Sequence, residues 1–308
     1  MLPPSGDQFE IAAGGYRAVV TESGGALRLL TYAGRALVDG FEEDQTSSGG
    51  RGQLLMPWPN RIRDGRYSFG GTEHQLALTE PKRGNASHGL ARWAAWTVQE
   101  HTPHSVSLTY RLMAQTGFPW TLDLNVVYDL SADGLTVTQT ATNTSEAAAP
   151  YASGAHPYLT VGAGPVDALE LSMPAATRLL TDPERLLPTG REAVDATPYD
   201  FRVPRPLRGV VLNDSFTDLA RDARGVATTV LRDPGSGLGV VLWVDAHHPW
   251  LLLYTADDVP TTARRSIAVE PMTAPPDAFR SGDDLLVLGP AGSPEDEISA
   301  TWGIRDAG

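Results

Sequence analysis

The sequence predicts an all-β protein, a large antiparallel β-sandwich. Three features carry this: apolar and polar residues alternate with period two over much of the chain, turn residues separate the alternating segments, and helical periodicity is nearly absent. Val106, Leu108, Tyr110 and Leu112 alternate with Ser105, Ser107, Thr109 and Arg111, and Leu122, Leu124, Val126, Tyr128 and Leu130 alternate with mostly polar partners. Successive side chains of a strand point to opposite faces, so these segments read as half-buried strands. The same pattern runs through residues 135–141, 168–171, 226–231, 238–244, 250–254, 267–269, 285–288 and 298–304, with AspProGlySerGly at 233–237 as a turn.

The one helix predicted is brief, opening near Pro276 and ending at Gly282. The stretches 145–150 and 181–199 read as surface loops, the second long enough to flank a site. The segment around Asn60 and Arg61 reads as a loop braced by Trp58, since two prolines precede it. No long linker divides residues 1–308, and large β folds reach this length as one unit, so a single domain is expected.

Composition removes several kinds of chemistry. The 308 residues include no cysteine, which excludes disulfides, thiol nucleophiles, iron–sulfur clusters and CxxC zinc sites. Lys and Arg number 24 against 37 Asp and Glu, a formal net charge of −13, and that field repels nucleic acid and anionic membranes. The amino terminus has neither a basic nor an apolar signal region, and no apolar stretch is long enough to span a bilayer, so the expected location is cytoplasmic. Phosphate-binding glycine loops and a serine nucleophile elbow are absent, so no cofactor is expected.

Two ionisable residues stand in apolar surroundings. His156 lies in AlaHisProTyrLeu, where Pro157 withholds a backbone donor and marks a strand end or an opening in the sheet. Its imidazole exchanges protons near neutral pH, although a histidine satisfied by backbone would fit the same setting. Glu270 closes the apolar run IleAlaValGluPro, where burial raises its pKa. Asn60 and Arg61 suit either hydroxyl binding or a surface ion pair, and His88 beside Gly89 suits a ligand contact or a turn. His74, His101, His104, His247 and His248 read as solvated turn residues. Adjacent histidines on an extended chain face opposite ways, so no metal site is expected from His247 and His248. Trp58, Trp93 and Trp250 are candidate stacking platforms for a non-catalytic carbohydrate-binding protein.

AsnArgIle at 60–62, HisGly at 88–89, HisProTyr at 156–158 and GluPro at 270–271, in this order across the chain, resemble the aldose 1-epimerase (galactose mutarotase) family. The phrase AsnArgIleArgAspGlyArgTyrSerPheGlyGly at 60–71 is similar to a hairpin of that family. The resemblance implies a galactose mutarotase-like supersandwich, a monosaccharide substrate, no metal, and interconversion of the anomers of a free hexose by a monomer or homodimer. By position, it implies His156 as the acid that protonates the ring oxygen and Glu270 as the base that takes the O1 proton. For this His156 must begin protonated and Glu270 ionised, and their attraction across the cleft is expected to favour both charged forms. Arg61, His88 and Asn60 would hold sugar hydroxyls. Where the family usually carries Asp, this chain has Asn213; Asp214 is next to it and would face the other way on an extended strand, and both are candidate substrate contacts. Met272 replaces a Gln of several members. SerHisGlyLeuAlaArg at 87–92 is also similar to the hexose-6-phosphate mutarotase branch, in which Lys82, Arg83 and Arg92 could clamp a phosphate.

Overall fold

In the computed structural model, which describes residues 2–308, two large antiparallel sheets face each other across a continuous apolar core. The nine-stranded sheet runs in the order Thr97–His101, Ser105–Leu112, Leu122–Ser131, Gly134–Asn143, Glu297–Asp306, Gly239–Val244, Ala227–Arg232, Glu170–Ser172 and Arg205–Pro206. Its alternating strands do what their sequence asks: Leu122, Leu124, Val126, Tyr128 and Leu130 are buried while the residues between them are not. A four-stranded N-terminal meander, from Gln8–Ala13 to Arg35–Ala36, packs against the same core. The alternation did not mark these strands, because Ala18 to Thr21 is buried on both faces and reads as one apolar run.

The eight-stranded sheet carries the site. Its order is Pro188–Ala193, Ala175–Thr181, Asn213–Leu219, Trp250–Tyr254, Ile267–Met272, Gly154–Ala155 and Leu54–Leu55, and Tyr158–Leu159 also pairs with Ile267–Met272. The buried amide of Gln139 joins the two sheets: it donates to the Gly154 carbonyl at 3.1 Å and accepts from the Trp302 indole at 3.1 Å.

Several expectations are corrected. The stretch 181–199 contains the strand Pro188–Ala193, and the buried strand Ala149–Tyr151 begins within the first expected loop. Residues Val166–Ala168 form a 3-10 turn before the strand Glu170–Ser172. Arg61–Arg63 is a short strand paired with Asn85–Ser87, not a loop. Glu270 sits inside its strand, which continues through Pro271 to Met272. His248 is buried and bonded to Asp245 at 2.9 Å, while His74 lies on a strand, stacked against Tyr67. The helix forms at Ala278–Ser281 and is closed by Gly282, whose φ of 79° favours glycine.

Candidate active site

His156 occupies the single residue position between the short strand ending at Ala155 and Pro157, which opens the way to Tyr158–Leu159. Its backbone is clamped on both sides, donating to Gln53 O and accepting from Gly52 N, each at 3.0 Å. Both flanking strands pair with Ile267–Met272, in which Tyr158 is opposite Ala268 and Gly154 is opposite Met272. This pairing brings residue 156 alongside residue 270, and His156 Nε2 stands 3.3 Å from Glu270 Oε1. Both side chains are buried. Among the described residues, His156 Nδ1, Glu270 Oε2 and His88 Nδ1 have no hydrogen-bond partner. Such buried orphan atoms are costly in a fold and are the atoms a polyhydroxylated ligand could satisfy.

A cavity of about 310 Å³ opens on this pair. Its wall brings together His156, Glu270, Asn60, Arg61, His88 and Asn213, residues drawn from distant parts of the chain. Pairing of Arg61 with Ser87 sets Arg61 and His88 side by side, and His88 N donates to Asn60 O at 2.8 Å. Asn60 and His88 both adopt positive φ, 53° and 62°, at separate bends beside the paired strands, and both side chains line the cavity. Gly89 must remain glycine there, since a Cβ would stand 2.0 Å from the Met56 carbonyl.

Asp214 is a correction. It follows Asn213 on an extended strand and so faces the other way, where Arg178 holds its carboxylate at 2.7 Å. Lys82 is not on the wall either, while Arg83, Arg92 and Trp93 are. Of the three candidate platforms, Trp58 and Trp250 are core residues, and only Trp93, 53 % exposed, reaches the cavity mouth. The sequence reading missed Glu80, Tyr254 and Asp258. Glu80 grips Arg61 with two hydrogen bonds, at 2.8 and 3.0 Å, which fixes the guanidinium in the wall. Arg92, in contrast, forms no ion pair among the described residues, and burial lowers its pKa below the usual arginine range.

Burial dominates the electrostatics. It pushes Glu270 up to about 8, with Arg61 opposing. It pushes His156 down to about 3, with Arg51, Arg92 and Arg61 acting in the same direction. His88 is held well below its ordinary value by burial and by its charged neighbours. Both shifts favour the neutral forms of the two groups, against the charged forms that their mutual attraction was expected to favour. The neutral pair and the ion pair hold the same number of protons and differ only in where one of them sits.

A larger concavity of about 720 Å³ on the outside of the nine-stranded sheet is lined by Thr97, Ser107, Thr109 and Asn125, without a comparable pair of orphaned acid and base. Among the described residues, no group of three or more His, Asp or Glu side chains is placed to hold a metal. No helix among them is long and apolar enough to cross a membrane.

Comparison with known proteins places the chain in a family and a fold. The family model for aldose 1-epimerase matches residues 7–299. The uncharacterized protein YihR of Escherichia coli K12 is 35 % identical over 285 residues, covering 92 % of this chain and 89 % of that one. The uncharacterized protein YphB of the same organism is 25 % identical, covering 91 % and 97 %. Among solved structures, the GalM/aldose epimerase homologue from C. elegans superposes with a TM-score of 0.86 at 21 % identity, covering 97 % of this chain and 98 % of that one. The galactose 1-epimerase from Lactobacillus acidophilus NCFM gives 0.79 at 19 % identity, covering 96 % and 92 %. At these identities the structural likeness speaks for the fold.

Proposed function

The chain belongs to the aldose 1-epimerase family, and from that premise we propose that it interconverts the α and β anomers of a free hexose by acid–base ring opening and reclosure. One observation carries the reading: an imidazole and a carboxyl 3.3 Å apart, each with an orphan atom, on the wall of a monosaccharide-sized cavity. In the proposed step His156 gives a proton to the ring oxygen while Glu270 takes the O1 proton. The bond from C1 to the ring oxygen breaks and C1 becomes a carbonyl. Rotation about C1–C2 exposes the other face, and the same two transfers run backwards to close the ring. No covalent intermediate is required.

The neutral pair that burial favours is also the state the two groups reach after ring opening. A bound hemiacetal offers the O1 hydroxyl to one group and the ring oxygen to the other, which favours transfer of the shared proton to His156 before the ring opens. One positioned acid or base is worth ~10²–10⁴-fold, so the two together supply roughly 10⁴–10⁸ if independent. In this reading Arg61, His88, Asn60 and Asn213 hold the other hydroxyls, and Trp93 covers the mouth. Replacing Glu270 by Gln tests it: kcat is expected to fall by at least about 10²-fold with sugar binding largely retained, followed by polarimetry and by ligand titration. Unchanged turnover would remove Glu270 from the role of base.

A second reading is favoured by Arg92. A half-buried guanidinium without a carboxylate partner, with Arg83 on the same wall, suits an aldose that carries an anionic group such as a phosphate. Rates on glucose and glucose 6-phosphate separate the two. A higher kcat/KM for the phosphate ester would favour the second reading, and Arg92→Met would then lower that value roughly tenfold or more, and by more than it lowers the value for glucose.

A further inference from the structure

Behind the imidazole of His156 lies a second layer that the proton transfers do not use. The phenol of Tyr158 is stacked on the imidazole, with 4.9 Å between centroids and 15° between planes. The guanidinium of Arg51 rests on that phenol, 4.3 Å from its centroid. Arg51 is itself buried, its side chain 3 % exposed, and is pinned by Asp39 at 3.3 Å and by the Ser48 carbonyl at 3.1 Å. The Tyr158 hydroxyl donates to Gly49 O at 2.8 Å. A Cβ at Gly50 would stand 2.6 Å from His156 Cδ2, so this loop presses on the ring itself. Two charges meet on Asp39, because Arg265 also binds it at 2.9 Å, and the cluster of Arg51, Arg265 and Asp39 therefore keeps one net positive charge.

We propose that Arg51 is a positioning residue: acting through Tyr158, it fixes the plane of the His156 imidazole and keeps a positive charge behind it, so that a proton placed on the ring passes readily to the substrate. The proposal rests on the reading of His156 as the acid. A stacked aromatic between a cation and an imidazole restricts the ring to one plane, and the fixed charge opposes a second positive charge beside it. The other groups that face His156 are Glu270 on the neighbouring strand, and His88, Arg61 and Arg92 across the cavity. Of these, only Glu270 favours the charged imidazole.

The test uses the intact protein. Arg51→Met keeps the length of the side chain and removes its charge, and Asp39 retains Arg265 and the Ser266 hydroxyl, so no bare carboxylate is buried. Two quantities are measured: kcat for anomer exchange, and the ¹⁵N NMR titration of the His156 ring, assigned by loss of its signals in His156→Gln. The expected result is a fall in kcat of roughly ten- to 10²-fold with KM nearly unchanged, a His156 titration moved to higher pH, and recovery of most of both by Arg51→Lys. Adding Arg51→Met to Tyr158→Leu is expected to cost little more than Tyr158→Leu alone, since both break one stack. An Arg51→Met protein that melts normally and keeps its kcat and its His156 titration would overturn the inference. If the unaltered protein fails to accelerate anomer exchange, the functional reading fails, and the NMR titration alone then decides whether Arg51 governs the ring.

Discussion

Glu270 is buried in a strand whose six residues are all buried, and its carboxyl faces one titratable partner rather than a guanidinium. That arrangement makes stability depend on pH in a defined direction. Its pKa rises from 4.5 to about 8 on folding, so between those values the folded chain binds more protons than the unfolded one and stability falls as pH rises. His156 acts oppositely: its pKa drops from 6.5 to about 3, so stability falls as pH drops through that window. Thermal melts of the unaltered protein and of Glu270→Gln between pH 6 and 9 check this. The melting temperature of the unaltered protein is expected to fall more steeply with pH; parallel curves would mean that Glu270 ionises without cost. Both residues were legible in the sequence because an ionisable group in an apolar run is expensive without a use. The direction in which burial moves their charge was not legible, since the sequence does not show how completely each side chain is buried. The adjacent pair Asn213 and Asp214 was ambiguous for another reason. A strand turns neighbours to opposite faces, and the sequence does not say which face looks into the cavity.

At the level of elements, the strands longest in sequence were the easiest to read. Ser105–Leu112 and Leu122–Ser131 lie where their patterns place them. The pieces that build the site are short: Leu54–Leu55, Arg61–Arg63, Asn85–Ser87, Gly154–Ala155 and Tyr158–Leu159 span two or three residues each, too few for any periodicity to register. Glu80 was invisible for a related reason, since its bond to Arg61 comes from the pairing around residues 85–87 and leaves no local pattern. Gln139 shows what holds these pieces in place. It ties Gly154, two residues from His156, to Trp302 on the opposite sheet. Gln139→Leu removes both bonds and leaves the buried indole N–H of Trp302 unsatisfied, at a cost of about 1–3 kcal/mol. We expect a clear drop in the denaturant midpoint with an unchanged m-value. A variant as stable as the parent would show that the bridge is dispensable.

On the scale of the whole molecule, the fold class followed from alternation, the turn residues between segments and the near absence of helical periodicity, while the way in which two sheets and a meander share one core followed from nothing local. The net charge of −13 belongs to this scale as well. A neutral hexose is not steered by that field, so kcat/KM for glucose is expected to vary little between low and physiological ionic strength, which initial-rate polarimetry can follow. The convergence of residues 156 and 270 is a product of the whole sheet, and the proton chemistry proposed for them is the central claim. Exchange NMR on equilibrated glucose and galactose tests it most directly, because it reads the interconversion of anomers without a coupled enzyme. Magnetisation transfer between the α and β H1 signals that is far faster with the protein than in buffer, and lost with Glu270→Gln, is the predicted result. Transfer no faster than in buffer for any free or phosphorylated hexose, or undiminished by the substitution, would contradict it.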